Sequence, residues 1–196
     1  NCETDFVAKN DGFVALANEL AEIALKNNSL DEFLNSEIDS MTVAEKLVQQ
    51  TGVIGEKLVI GGFETLSAAY VGKYIHAGNK IATLSGFSIS SEGIEDVAKN
   101  VAMQAAAMNP IALDESGVDQ STIDKEIEIA KDQLRQEGKP EAMLDNIAKG
   151  KLKRFFKDNT LVNQDFIKNS KQSVAAYVKS NNSDLKITGF KRVALV

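Results

Sequence analysis

Apolar residues recur at helical spacing near the start of the chain. Four of them follow Asp11 at steps of three and four residues: Phe13, Leu16, Leu20 and Ile23. That spacing places all four on one face, so it predicts an amphipathic helix that ends at Asn27-Asn28-Ser29. A further helix is predicted from Thr42, because Thr42-Val43-Ala44-Glu45 fits a capping box, in which the threonine and glutamate side chains bond each other's backbone N–H groups.

The pattern changes from helical to strand-like in the next part of the chain. Residues 58–74 mix β-branched and aromatic residues with Gly61-Gly62, which favours strands with a bulge or bend. Another strand is predicted from Ile81 to Phe87, because Gly78-Asn79 accepts the positive φ angles of a hairpin turn. Helices followed by adjacent strands predict an α+β fold, with a small antiparallel sheet covered on one face.

The order of elements is predicted to restart after Phe87. The expected elements are a strand at 88–90, a helix from a Ser91 cap through Met108 that Asn109-Pro110 stops, a helix from Val174 to Ser180, and a β-hairpin from Leu185 to Val196. Because this order echoes the first part, we predict two related α+β subdomains, each a small antiparallel sheet packed with helices. Their predicted bounds are 1–90 for the first and 91–118 with 164–196 for the second.

A helical hairpin is predicted inside the second subdomain. Its first helix carries a short coiled-coil seam: Ile123, Ile127, Ala130 and Leu134. Gly138-Lys139-Pro140 ends that helix, and a second helix is predicted from Glu141 to Lys157. So short a connection forces the two helices to run antiparallel. We assign this antiparallel coiled-coil hairpin to residues 119–163.

Composition adds little to the fold but argues against several kinds of chemistry. The 196 residues carry a net charge of −6, so long-range attraction to nucleic-acid phosphates is absent. One cysteine, Cys2, and one histidine, His76, are too few for a Cys/His zinc site and make nucleophilic catalysis a poor fit. There is no glycine-rich phosphate loop, and no apolar run reaches the roughly 18 residues of a membrane span. We therefore expect no enzymatic chemistry, no cofactor, no metal, and neither a nucleic-acid nor a membrane partner.

The first ten residues predict a short helix. Thr4 is a good N-cap, and the Asp5 carboxylate suits the first turn, where it meets the positive end of the helix dipole. Phe6 then lies near the helix tip. Taken by itself, a phenylalanine in such a position is usually part of the core.

The opening motif Thr4-Asp5-Phe6-Val7-Ala8-Lys9 closely resembles the signature of the elongation factor Ts family. The resemblance extends over essentially the whole chain, with supporting matches at Phe13, Tyr74, His76, Asn100-Val101-Ala102-Met103, Gly138-Lys139-Pro140 and Thr188-Gly189-Phe190. The family's two α+β subdomains, with a coiled-coil hairpin in the second, agree with the predicted elements. The resemblance also implies that the family's N-terminal helical module is missing from this chain.

The resemblance implies a function in nucleotide exchange, without covalent chemistry. The family binds elongation factor Tu, both GDP-bound and nucleotide-free, and promotes GDP release in the bacterial cytoplasm or an organelle matrix. By that resemblance, a wedge inserts beside the partner's nucleotide site, formed by Thr4, Asp5, Phe6 and Val7. Phe6 is then exposed rather than buried. The resemblance leaves a homodimer open.

Further partner contacts are implied at five positions: Ile81, Ala82, Gln104, Phe166 and Ile167. Two of them depart from the family pattern. Gln104 stands where relatives carry a histidine that touches the partner, and Ala82 stands where glycine is common. We expect the contact at Gln104 to differ or to be lost.

Two other functions remain open from the residues. One is an interaction scaffold that uses the helical hairpin to bind some other protein. The other is a metal-assisted hydrolase that uses the acidic residues between Asp114 and Asp124, although acids near helix starts are expected for dipole reasons alone. The basic cluster from Lys149 to Lys157 is interpreted as a solvated helix end rather than a nucleic-acid patch.

Overall fold

The structure, a computed structural model, describes residues 1–195. It contains helices and small sheets and divides into two compact units. The first unit is Asn1–Thr65 with the last residues from Val193, and the second is Leu66–Arg192. The predicted α+β fold class is confirmed.

The first unit is built from four helices and one very short β-hairpin. The elements are α1 (Asp5–Ala8), α2 (Asp11–Ala24), α3 (Leu30–Leu34), β1 (Glu37–Ile38), β2 (Met41–Thr42) and α4 (Val43–Ile54). The predicted apolar face of α2 is confirmed, since Leu16 and Leu20 are buried against Phe33 and Val43. The predicted capping box is also confirmed: the Glu45 N–H donates to the Thr42 hydroxyl at 3.2 Å, and the Thr42 N–H donates to the Glu45 carboxylate at 2.7 Å.

The strand prediction for residues 58–74 is wrong over most of its length. The first long strand begins only at Tyr70, and residues 57–68 have no regular secondary structure. Leu58 instead packs into the core of the first unit, and the Phe63 ring stacks on Phe33 with 5.5 Å between centroids. Gly61-Gly62 weakens any strand here, so side-chain packing decides the path of the chain.

The second unit contains a three-stranded sheet, a long helix, a helical hairpin, a separate two-stranded sheet and a short helix. The elements are β3 (Tyr70–Ile75), β4 (Ile81–Phe87), α5 (Ile94–Met108), α6 (Gln120–Gln136), α7 (Glu141–Asn159), β5 (Asp165–Phe166), β6 (Asn169–Ser173), α8 (Val174–Asn181) and β7 (Ile187–Ala194). The sheet order is β3-β4-β7, and β3 and β4 pair antiparallel. The predicted turn between them is confirmed, with φ angles of 87° at Gly78 and 57° at Asn79.

Helix α5 lies very close to this sheet. The Thr83 hydroxyl donates to the Ala102 carbonyl at 2.7 Å, and the Ser85 hydroxyl donates to the Ala98 carbonyl at 2.8 Å. Gly72 permits this approach, because a Cβ at that position would lie 2.5 Å from the Ala98 Cβ. The sheet therefore fixes the side of α5 that carries Ala98 and Ala102.

Several predicted details of the second unit are wrong. Ser91 does not cap α5, which begins after Gly93 without a side-chain cap. Residues 88–90 form no strand, and the predicted terminal hairpin is the single strand β7. The backbone of β7 forms its hydrogen bonds with β4, so they do not require a strand that is adjacent to β7 in the sequence. The last residue of the predicted hairpin, Val196, lies outside the described residues.

The predicted helical hairpin is present as two packed helices, α6 and α7. Buried residues come from both helices: Ala130 and Leu134 from α6, and Leu144, Ala148 and Phe156 from α7. Salt bridges join Lys131 to Asp145 at 3.0 Å and Arg135 to Glu141 at 2.8 Å, as expected of antiparallel helices. The coiled-coil description stays a prediction.

The predicted subdomain bounds also stay predictions. Strands β3 and β4, which we assigned to the first subdomain, belong with α5 to the second compact unit. Their contacts with α5 explain this grouping.

Candidate functional site

Helix α1 has the local structure that its residues predict. Thr4 is the N-cap, with an extended backbone, and its hydroxyl accepts a hydrogen bond from the Val7 N–H at 3.4 Å. Asp5 occupies the first turn, as expected of a carboxylate at the positive end of a helix. The Asn10 N–H bonds to the Val7 carbonyl at 2.9 Å, and Asn10 then caps α2.

The Phe6 side chain projects from this helix into solvent. It is 90% exposed, and none of the residues of α1 is buried. The expectation from residue type alone, a buried Phe6, is therefore wrong, and the exposure that the family resemblance implies is found. Val7 is partly buried. Burying an exposed phenylalanine against a partner is worth about 1.5–3 kcal/mol.

One carboxylate from outside the helix contacts the start of α1. The Glu56 Oε2 atom accepts hydrogen bonds from the backbone N–H groups of Glu3 and Thr4, both at 2.9 Å. The Glu56 Oε1 atom accepts a further one from the Thr4 hydroxyl. The Thr4 hydroxyl bond holds the pKa of the Glu56 carboxyl below its usual value. Sequence reasoning missed Glu56, which lies 52 positions from Thr4 and leaves no local signal.

The other predicted contact residues lie in the second unit. Ile81 begins β4 and is partly buried, and Ala82 beside it is exposed. The Ile81 carbonyl accepts a hydrogen bond from the His76 N–H at 2.8 Å, which fixes the start of the strand.

Gln104 is fully buried rather than on the surface. Its Nε2 donates to the Gln164 side chain at 3.2 Å and to the Asp165 carbonyl at 3.1 Å. Its Oε1 accepts the Ile167 N–H at 2.8 Å. In this structure the Gln104 amide holds the segment that carries Ile167, and the altered or lost partner contact at Gln104 stays a prediction.

Phe166 and Ile167 are adjacent but have different surroundings. Phe166 is 3% exposed and stacks on Tyr177 with 4.0 Å between ring centroids, whereas Ile167 is 39% exposed. The structure thus brings Gln104, Phe166 and Ile167 together, and only Ile167 offers a surface side chain.

The described residues contain neither a cluster of metal-binding side chains nor a membrane-spanning helix. Within residues 1–195 no group of three or more His, Cys, Asp or Glu side chains is placed to hold a metal ion. The acids of the hydrolase alternative have local roles: Asp114 accepts the Ser116 N–H at 2.9 Å, and Asp119 accepts the Thr122 N–H at 2.9 Å. None of the helices described is long and apolar enough to cross a bilayer.

A single exposed phenylalanine is ordinary on a protein surface, so Phe6 is a candidate contact residue for a protein partner only together with its sequence motif. The comparisons with known proteins identify that motif's context. A family model described as Elongation factor TS matches residues 3–196. The chain is 67% identical over 195 residues to Elongation factor Ts of Flavobacterium psychrophilum. The alignment covers 100% of this chain and 71% of the relative.

Other relatives give the same result. Elongation factor Ts of Christiangramia forsetii is 66% identical, with 100% of this chain and 71% of the relative covered. Elongation factor Ts of Amoebophilus asiaticus is 46% identical, with 98% and 70% covered. The chain belongs to the elongation factor Ts family and is a translation elongation factor, which takes part in protein biosynthesis. The resemblance found in the sequence is confirmed.

Proposed function

We propose that this chain is a guanine-nucleotide exchange factor that binds GDP-bound elongation factor Tu and promotes GDP release. The observation that carries the proposal is the 90% exposure of Phe6 on a capped helix, within the motif Thr4-Asp5-Phe6-Val7. The chain acts by binding, so it makes no covalent bond and uses no cofactor. We place its action in the bacterial cytoplasm, where translation elongation occurs.

Exchange requires a difference between two binding free energies. A nucleotide held at nanomolar strength is bound by about 12 kcal/mol. A factor speeds its loss only if it binds the nucleotide-free partner better than the loaded one. Insertion of Phe6 supplies apolar burial in the empty state, and Asp5 adds a negative charge near the magnesium and phosphate groups of the partner.

The wedge requires a broader anchor. Burial of Phe6 is worth about 1.5–3 kcal/mol, a fraction of the nucleotide's binding free energy. Surface residues of the second unit supply the anchor in this proposal, namely Ile81, Ala82 and Ile167. Gln104 and Phe166 are buried and act through Ile167, since the Gln104 amide binds the Ile167 N–H at 2.8 Å.

Removal of the wedge side chains tests the proposal. We expect Phe6→Ala to slow GDP release from elongation factor Tu by about 10- to 100-fold, because each 1.36 kcal/mol of lost stabilisation is about tenfold in rate. Asp5→Ala has a smaller effect. Stopped-flow release of a fluorescent GDP gives both rates.

A matched control comes from Val48, which is 75% exposed on α4. Val48→Ala removes a similar kind of exposed apolar side chain, and we expect the release rate to stay unchanged. Wild-type rates in both Phe6→Ala and Asp5→Ala would exclude the wedge.

A scaffold that binds another protein through the helical hairpin is the second candidate. Ile129 and Met143 favour it, since they are 40% and 51% exposed on α6 and α7. This candidate predicts that the chain binds a partner without changing nucleotide release, so the same kinetic experiment separates the two functions.

A further inference from the structure

A helix as short as α1 needs support from outside itself. Asp5–Ala8 is only 4 residues long, and helices of that length are unstable alone because nucleation is costly. None of its residues is buried, and only Val7 and Ala8 are partly buried, so packing against the core gives it little support. The exchange function proposed above nevertheless requires Phe6 to be presented in one place.

We propose that Glu56 is the positioning residue that holds the α1 tip in place for nucleotide release. Three donors converge on its carboxylate: the Glu3 N–H and the Thr4 N–H, each at 2.9 Å from Oε2, and the Thr4 hydroxyl on Oε1. All three lie immediately before Asp5 and Phe6. The proposal rests on the proposed function, because positioning by Glu56 affects nucleotide release only if the α1 tip inserts into the partner.

The chemistry of these contacts suits a fixed anchor. Hydrogen bonds to an ionised carboxylate are shorter and stronger than neutral ones. Two oxygens engaged with backbone and side-chain donors of adjacent residues also fix the direction of the chain. The Thr4 hydroxyl both donates to Glu56 and accepts the Val7 N–H at 3.4 Å, so the anchor is connected directly to the first turn of α1.

Glu56 is itself fixed by the core of the first unit. It follows Gly55, which ends α4 with a φ angle of 80°. Two residues later, the Leu58 N–H donates to the Thr51 hydroxyl at 3.1 Å, and the Leu58 side chain is 7% exposed in the core. The carboxylate therefore sits on a short segment held at both ends, by α4 and by Leu58.

A second connection runs beside the first. The Val59 N–H donates to the Asn1 carbonyl at 3.1 Å, so the segment that carries Glu56 also pairs with the backbone just before the tip. Without Glu56, the bond between Val59 and Asn1 remains, but Asn1 is three residues before Thr4 and so holds the tip less directly. The partner would then have to order the tip during insertion, at an entropic cost that reduces catalysis rather than docking.

Two measurements on the whole chain test the inference. In Glu56→Ala, we expect hydrogen-exchange protection of the Glu3 and Thr4 amides to fall about tenfold in the free protein. We expect the kcat for GDP release from elongation factor Tu to fall about tenfold, with KM changed less than about twofold. Glu56→Gln retains an oxygen acceptor, so it should recover part of both losses.

Glu45, in the first turn of α4, offers a matched control. Its carboxylate also accepts the N–H and hydroxyl of a threonine, Thr42, but at the opposite end of α4. Glu45→Ala should leave the amide protection of Glu3 and Thr4 and the release kinetics as in the wild type. Circular dichroism melting establishes that each variant is folded.

Each outcome decides for or against the inference. Unchanged amide protection in Glu56→Ala overturns it, and so does lost protection with normal release. If Phe6→Ala slows release while Glu56→Ala does not, only the inference about Glu56 fails. If neither variant slows release, the proposed function fails with it.

Discussion

Gln104 is a polar side chain in the interior of the second unit. Its amide bonds the Gln164 side chain and the Asp165 carbonyl, and it accepts the Ile167 N–H. Gln104 and Gln164 are 0% and 1% exposed, so their side chains depend on hydrogen bonds within the protein. The residue that we expected at a partner contact is thus part of the support beneath Ile167.

We expect Gln104→Leu to lower the free energy of unfolding by about 2–4 kcal/mol. The leucine fills a similar volume but leaves the Ile167 N–H and the Gln164 amide without this partner, and unsatisfied buried polar groups cost about 1–3 kcal/mol each. Urea unfolding measures the change. Gln133→Leu is the control, because Gln133 is exposed on α6, and a shift within about 0.5 kcal/mol is expected there. Equal stability of the two variants would contradict this account of Gln104.

Among the helices, α6 shows how a terminal charge stabilises an element. Its N-cap Asp119 accepts the Thr122 N–H at 2.9 Å, the Thr122 hydroxyl at 2.7 Å and the Ser121 hydroxyl at 2.5 Å. These bonds, the Ser121 hydroxyl first, lower the pKa of the Asp119 carboxyl to about 2. The ionised form is therefore favoured in the folded protein.

The lowered pKa predicts a pH-dependent contribution of Asp119. A carboxyl whose pKa is lower in the folded state stabilises the fold above its unfolded pKa, about 3.9, and loses that effect as pH falls towards about 2. Asp119→Asn keeps an N-cap oxygen but removes the charge. We expect the wild type to be more stable than Asp119→Asn above about pH 5, and the difference to shrink below about pH 4. Urea midpoints measured from pH 7 to pH 3 test this, and a difference independent of pH would refute it.

The sequence predicted several helix caps and turns correctly because their determinants are local, although it missed α3 and placed the start of α5 wrongly. The Thr4 cap, the capping box of Thr42 and Glu45, and the turn at Gly138 each lie within a few consecutive residues. The strands were predicted less well. β7 depends on β4, about 100 residues earlier, and Leu58 to Phe63 follow the core rather than a strand partner. Pairing and packing between residues far apart in the chain produce no local pattern in the sequence, so they could not be predicted from it.

At the scale of the whole molecule, the proposed function couples two affinities of elongation factor Tu, its affinity for this chain and its affinity for GDP. If this chain weakens the binding of GDP to elongation factor Tu by some factor, GDP must weaken the binding of this chain by the same factor. The relation follows from thermodynamic linkage and does not depend on the structural details.

We therefore expect two independent titrations to agree. The first measures the Kd of the chain for elongation factor Tu with and without GDP, and the second measures the Kd of GDP with and without the chain. The two ratios should be equal and greater than about five, and Phe6→Ala should reduce both, because the wedge contributes only when the nucleotide is absent. A ratio of one in the wild type would support the scaffold instead.

By itself, the sequence determined the caps of α1 and α4, the β3–β4 turn, the hairpin of α6 and α7, and the family. Those features depend on residues close together in the chain or on a motif such as Thr4 to Lys9. The tertiary structure alone decided that Gln104 is buried and that Glu56 contacts Thr4. The physical reason is separation along the chain: 52 residues divide Glu56 from Thr4 and 60 divide Gln104 from Gln164, and only the fold brings such pairs within hydrogen-bond distance.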